Sequence, residues 1–302
     1  MIAGLLWVPA TLLAASAQVA RNGLQARLTR EIGTLGATQV RFIYGLPFAL
    51  LFWLASWLLI GAELPRMGTT AIGYLLLGAV TQIAATALML VAMAQRAFGV
   101  AYAYIKTEPI LVALFGVLLL GEHLAPLAWV GILVATGGIL LVSIDPRAWA
   151  SLFHEWRPMA VGIASGAFFG LASVAYRGAI VAVESDSGLM RALSVLVAAL
   201  IVQCVLLGLW LALFDRRAFT GSLRIWRESL GAGFLGALAT AGWNSALSLT
   251  AAANVRTLGL IEMPIAALIN RRVSGRALGM REWSGILLVA GGIALMMSQA
   301  LG

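Results

Sequence analysis

Charge is scarce in this chain. Of its 302 residues, 11% are Asp, Glu, Lys or Arg and 62% are hydrophobic, with a mean hydropathy of +0.98. A soluble domain carries about 25% charged and about 45–50% apolar residues, so too little polar surface remains to cover an aqueous core. The one cysteine, Cys204, lies in an apolar run, which excludes a disulfide framework and any CxxC redox or zinc motif. The two histidines, His123 and His154, lack metal-ligand spacing, so neither a metal nor another cofactor is expected. No glycine run leads into Lys-Ser or Lys-Thr, and neither HExxH nor GxSxG occurs. These absences argue against a nucleotide-driven pump and against a membrane-embedded enzyme. The net charge of +8 comes from basic residues scattered between apolar stretches, not clustered with stacking aromatics. Nucleic acid is therefore not an expected partner; loop arginines against anionic lipid account for the charge.

Long apolar runs are abundant. Crossing a hydrocarbon layer of ~30 Å takes ~20 apolar residues. Ten runs of that kind stand near 2–20, 34–61, 70–95, 99–120, 126–144, 158–183, 188–214, 229–252, 254–270 and 282–300. None alternates as a strand would, so the expected class is an all-α integral membrane protein of ten transmembrane helices. Ala15-Ser16-Ala17 resembles a signal-peptide cleavage site, but Met1 to Ser16 contains no charge. A secretory signal needs a basic n-region, and the first run is expected to be retained as a helix. Tryptophans such as Trp7, Trp53, Trp57, Trp129 and Trp283 suit interface belts. The longest polar stretch, Asp145 to Pro158, marks 147–157 as a linker between residues 1–146 and 158–302.

The two halves repeat each other. At an offset of 154 residues, 108–141 aligns with 262–295 without a gap and gives thirteen identities in thirty-four positions. Glu108 meets Glu262, Gly121 meets Gly275 and Trp129 meets Trp283, while Gly131-Ile132-Leu133 meets Gly285-Ile286-Leu287 and Gly137-Gly138-Ile139 meets Gly291-Gly292-Ile293. Apolar composition alone would match leucines and alanines, not a Glu, a Trp and four glycines in register. Each half then holds five spans. Five is odd, so the second half must enter the membrane in the opposite sense, as two inverted five-helix repeats do in secondary transporters.

Thr107-Glu108-Pro109 before an apolar span, then Gly121-Glu122, then Trp129-x-Gly131 in a span ending in Gly137-Gly138, resembles the drug/metabolite transporter superfamily. The likeness is to its ten-helix EamA-type branch and extends over essentially the whole chain. It implies export or uptake of amino acids, other small metabolites or drugs, without a prosthetic group. The second half departs from the pattern at Arg276, which stands where the first half has Glu122.

Ionisable residues at membrane depth cost ~2.5–3.5 kcal/mol each on insertion scales, which makes them functional candidates. Glu108 and Glu262 are repeat counterparts that can bind an ammonium group or a coupling proton. Lys106 offers a positive charge to a substrate carboxylate or phosphate. Tyr102, Tyr104, Trp243, Asn244 and Asn254 are candidates to line the path, and Pro109 and Pro264 to bend or unwind it. The structural alternative pairs Lys106 with Glu262 or Glu108 across helices. Arg41 and Arg191 each open the second span of a half; snorkelling to headgroups is the expected role, with an anion-binding or gating role open for the deeper Arg41. Gly33-x-x-Gly36, Gly162-x-x-x-Gly166 and the Gly137-Gly138 and Gly291-Gly292 pairs are expected to let helices pack closely.

Of seventeen basic residues assigned to joints, fourteen follow odd-numbered runs, and Arg66, Arg177 and Arg256 follow even ones. The positive-inside rule then puts both termini outside a bacterial inner membrane, opposite to the usual description of the resembled family. The expected activity is secondary transport of a small metabolite by alternating access, as a monomer or homodimer in the bilayer, with a proton or ion as candidate coupling partner. The competing readings are a lipid-handling flippase or assembly subunit and, further off, an intramembrane enzyme.

Overall fold

The computed structural model describes residues 5–95, 104–143, 156–265 and 279–300. The chain forms two compact units, Met1–Ile83 with Ala175–Thr250, and Ala84–Val174 with Ala251–Gly302. Each unit thus draws on both sequence halves.

The first unit opens with α1 (Trp7–Ile43) and α2 (Gly45–Ile60), followed by the start of α3 (Thr69–Gln95). From the second half come the end of α6 (Trp156–Ala182), α7 (Gly188–Phe214), α8 (Arg216–Arg224) and α9 (Trp226–Leu249). Helix α1 corrects the expected joint at 21–33. Leu24, Gln25, Ala26, Arg27 and Leu28 favour helix, so the polar stretch continues the helix and breaks only at Gly33, where φ is 73° and ψ is 172°. That conformation is open essentially to glycine alone. Charge decides where a helix meets the membrane surface, not whether the chain is helical. A two-residue antiparallel bridge pairs Arg66 with Glu184 and Met67 with Val183. Phe42, Leu193, Leu196, Leu200, Leu207 and Leu211 form the core. Helix α9 seats α1 through small residues: a Cβ on Gly242 would stand 2.9 Å from the Ala10 carbonyl oxygen, and one on Gly233 would stand 2.5 Å from that of Tyr44.

The second unit holds the end of α3, α4 (Glu108–Leu120), α5 (Pro126–Ser143), the start of α6, α10 (Ala252–Leu258) with a 3₁₀ turn at Gly259–Ile261, and α11 (Met280–Ala300). Helices α5 and α11 are repeat counterparts and pack against one another. Their crossing is mutual. A Cβ on Gly131 would lie 2.6 Å from the Gly292 carbonyl oxygen, and a Cβ on Gly138 would lie 2.7 Å from that of Gly285. Since 131 pairs with 292 and 138 with 285, the two helices run antiparallel. Only glycine permits this backbone approach.

Among the described residues there are eleven α-helices, one more than the expected runs, the addition being α8. Six helical stretches are long and apolar enough to cross a membrane: Glu31–Ile60, Thr69–Met89, Pro126–Ser143, Trp156–Ala182, Gly188–Phe214 and Met280–Ser298. Large apolar side chains stay uncovered on these helices and on the shorter α4, Leu59 at 86% and Leu118 at 76% exposure. Bare leucine of this kind needs lipid as solvent.

Candidate functional site

The polar chemistry of the second unit gathers where its helices are broken. Helix α4 starts at Glu108 with Pro109 in its first turn, a place where the missing amide hydrogen costs nothing. Before it, the helical residues 104–105 give way to a turn at 106–107, closed by the Thr107 hydroxyl donating to the Tyr104 carbonyl at 2.8 Å. Helix α6 holds this turn through glycines one helical turn apart. A Cβ on Gly162 would meet the Tyr104 side chain at 2.6 Å, and one on Gly166 would meet the Ile105 carbonyl oxygen at 2.7 Å. The Ser165 hydroxyl between them donates to the Ala85 carbonyl at 2.8 Å. In the other half, α10 tightens into the 3₁₀ turn at Gly259–Ile261 immediately before Glu262. Both counterpart glutamates therefore follow an interruption of regular helix.

The interruptions bring four charges together. Lys106 Nζ donates to Glu262 Oε1. Arg256 Nε donates to Glu108 Oε1 at 2.6 Å, and its Nη2 contacts the same oxygen. Lys106, Glu108 and Glu262 are buried, at 9%, 4% and 3% exposure. Two cations and two anions cancel, so the buried cluster carries no net charge, which a lone buried ion could not achieve. Each glutamate takes its cation from the opposite half of the sequence.

The structural pairing weighed for Lys106 is thus the one observed, with Glu262. Arg256 was missed, because its place near the start of the 254–270 run assigned it to a joint; its position inside an apolar run was the signal. Arg177 is likewise corrected from joint to helix, inside α6, where it donates to the Leu247 carbonyl. Asn254 belongs to α10 and Pro264 follows Glu262 in the helical residues 262–265. Tyr102 lies outside the described residues. The remaining candidates belong to the first unit. Trp243 Nε1 donates to Gln18 Oε1 at 3.2 Å, Asn244 Nδ2 to the Ala192 carbonyl at 3.3 Å, and the Arg41 guanidinium lies 5.6 Å from the Phe42 ring centroid.

The first unit also contains an uncharged cluster that no sequence motif announced. Gln82 Oε1 accepts from the Tyr176 hydroxyl at 2.8 Å and from Gln203 Nε2 at 2.6 Å, and Gln203 donates to the Tyr176 oxygen at 3.1 Å. Gly78 makes room for the Tyr176 ring, which a Cβ there would meet at 2.7 Å. Single glutamines in apolar runs are common enough that only the fold reveals the convergence.

With this geometry in place, the comparison with protein families is decisive for the first half: residues 3–144 match the EamA-like transporter family. The match supports membership of the drug/metabolite transporter superfamily and, with the apolar helices, a multi-pass membrane protein, and the family suggests a membrane transporter of small solutes. It points away from enzymatic activity. A crystal structure of another protein superposes with a TM-score of 0.70 at 16% identity, over 100% of this chain and 99% of that one. At that identity the likeness concerns the fold alone. No curated protein matches the chain.

Proposed function

We propose that this EamA-like protein is a secondary transporter that carries a small amino-acid-like, or otherwise polar or amphipathic, metabolite by alternating access. Its two inverted five-helix halves, 1–146 and 158–302 around the linker 147–157, form the moving parts. The observation that carries this reading is the four-charge cluster: repeat counterparts Glu108 and Glu262, each at a helix break, each held by a cation from the other half. Broken helices are where transporters place polar chemistry at membrane depth. The antiparallel crossing of α5 and α11 supports the inverted arrangement.

Such a cluster suits a solute that brings both charges. A substrate carboxylate can take the place of a glutamate on Lys106 or Arg256 while a substrate ammonium satisfies the carboxylate released. The pairs then break without stranding a charge, and a proton on either glutamate serves the same end. Tyr104 and Asn254 stand on the same elements and are proposed to line this path, with Tyr102, Trp243, Asn244 and Arg41 contributing elsewhere along it. Pro109 and Pro264 are proposed to keep the breaks open. The placement in a bacterial inner membrane with outward termini is part of the proposal, and reporter fusions at the C-terminus test it.

Purified protein in proteoliposomes is the direct test, with a panel of labelled amino acids and amines. Lys106→Gln and Glu108→Gln should each reduce flux at least about tenfold, the scale of one lost charge-assisted contact. Wild-type flux in a well-folded Lys106→Gln protein overturns the assignment. Movement of fluorescent phospholipid in place of solute favours the lipid-handling alternative.

A further inference from the structure

A pocket lies in the first unit, where the Gly33 break of α1 meets α8. Helix α7 ends its apolar stretch at Phe214, and the candidate span in α1 and α2 begins at Glu31. These span ends, set by length and hydropathy, are the level at which hydrocarbon would give way to headgroups. Between them is a pocket of about 570 Å³ lined by Glu31, Gly33, Asp215, Arg217, Thr220 and Arg224, within the ~300–1,000 Å³ range of small-ligand sites. Its wall is α8, a nine-residue amphipathic helix of sequence Arg-Arg-Ala-Phe-Thr-Gly-Ser-Leu-Arg.

The pocket is built, not incidental. The Asp215 side chain accepts the Ala218 amide at 3.0 Å and so starts α8 at the end of α7. A Cβ on Gly36 would stand 3.3 Å from the Ala218 carbonyl oxygen, and one on Gly221 would stand 3.2 Å from the Ile32 side chain. Small residues on both sides thus clamp α8 to the broken part of α1. The Gly33 break ends the first stretch of α1 beside Glu31.

Its lining carries both signs of charge. Arg217 and Arg224 offer planar donors suited to phosphate. Glu31 and Asp215 offer carboxylates suited to an ammonium group with several N–H donors. Beside the pocket, Leu213, Phe214, Leu223 and Trp226 are 69%, 73%, 43% and 48% exposed, and the Arg227 guanidinium lies 5.2 Å from the Trp226 ring centroid. An arginine-rich amphipathic helix flanked by bare Phe, Leu and Trp belongs in the plane of the membrane interface. We propose that this pocket binds the headgroup of a phosphoethanolamine lipid, phosphate on Arg217 and Arg224, ammonium on Glu31 and Asp215, with the acyl chains along Leu213 and Phe214. A purely anionic lipid leaves the carboxylates unmatched. A choline headgroup has no N–H to give them.

The experiment is a lipid titration of the delipidated, detergent-solubilised full chain by native mass spectrometry and thermal unfolding. The probes are phosphatidylethanolamine, phosphatidylcholine, phosphatidylglycerol and soluble phosphoethanolamine. Phosphatidylethanolamine should bind about tenfold more tightly than either other lipid, one charge-assisted contact's difference. The soluble headgroup should bind weakly for want of the apolar contacts. Glu31→Gln should remove the preference for ethanolamine over choline, and the double variant Arg217→Gln, Arg224→Gln should weaken all three lipids. Glu31 and both arginines are exposed, and a monodisperse, cooperatively melting variant shows that folding is intact. Equal or tighter binding of phosphatidylglycerol, or an ethanolamine preference that survives Glu31→Gln, overturns the proposal.

Discussion

The crossing of α5 with α11 and the charge cluster of the same unit are built from the same repeat, yet they treat it differently. At the crossing the symmetry is kept: Gly131 faces Gly292 and Gly138 faces Gly285, two contacts related by the 154-residue offset. At the cluster only the acids are kept. Leu260 stands at the position equivalent to Lys106, and Tyr102 at the position equivalent to Arg256. Where backbones touch, sterics admit one residue, and both copies retain it. Where charges meet, what must be conserved is the balance, which cations placed differently in the two halves satisfy equally well. Asymmetry at the cluster is also what lets two otherwise equivalent glutamates acquire different tasks.

Removing one charge should have the largest effect. Lys106→Met removes the cation that pairs with Glu262 and should destabilise the protein by about 3–5 kcal/mol, read as chemical unfolding in detergent. Lys106→Met with Glu262→Gln should recover most of that stability while solute flux stays absent. A single variant as stable as the parent means that the pair contributes nothing to the fold. Crowding the symmetric crossing comes next. Gly131→Ala and Gly285→Ala should each cost about 1–3 kcal/mol, and by similar amounts, because they are equivalent sites. A large disparity between them breaks the symmetry inferred from the contacts. The smallest effect belongs to the neutral cluster of the first unit. Gln203→Leu should cost about 0.6 kcal/mol, the average of a hydrogen bond between membrane helices, and leave flux near normal. Loss of flux in that variant would extend the transport path to Gln82 and Tyr176.

The helical, membrane-spanning character was legible because lipid imposes a simple rule on composition, and ten apolar runs met it. Glu108, Glu262 and Lys106 were legible as charges inside apolar runs. Arg256 and Arg177 were not, since an arginine near a run's edge looks like a loop anchor until the helix is seen to include it. Their removal from the joints also thins the even-numbered side of the charge tally. The long α1 was misread for a related reason: Arg21 to Glu31 is polar but made largely of good helix formers, and a lone glycine, Gly33, makes the break. The pairing of Lys106 with Glu262 depends on a contact 156 residues apart in sequence, which no local pattern encodes. The Gln82, Tyr176 and Gln203 cluster is hidden in the same way.

The mutual contact of α5 and α11 has the form of an interface between two identical subunits, in which i touches j and j touches i. A single five-helix ancestor inserted in both orientations would pair with itself through this glycine face, and joining two copies in one gene would merely make the partnership permanent. The contact itself constrains drift. A bulkier residue at Gly131 needs the room that Gly292 leaves, so neither half can change there alone, whereas the cation positions have been free to part company.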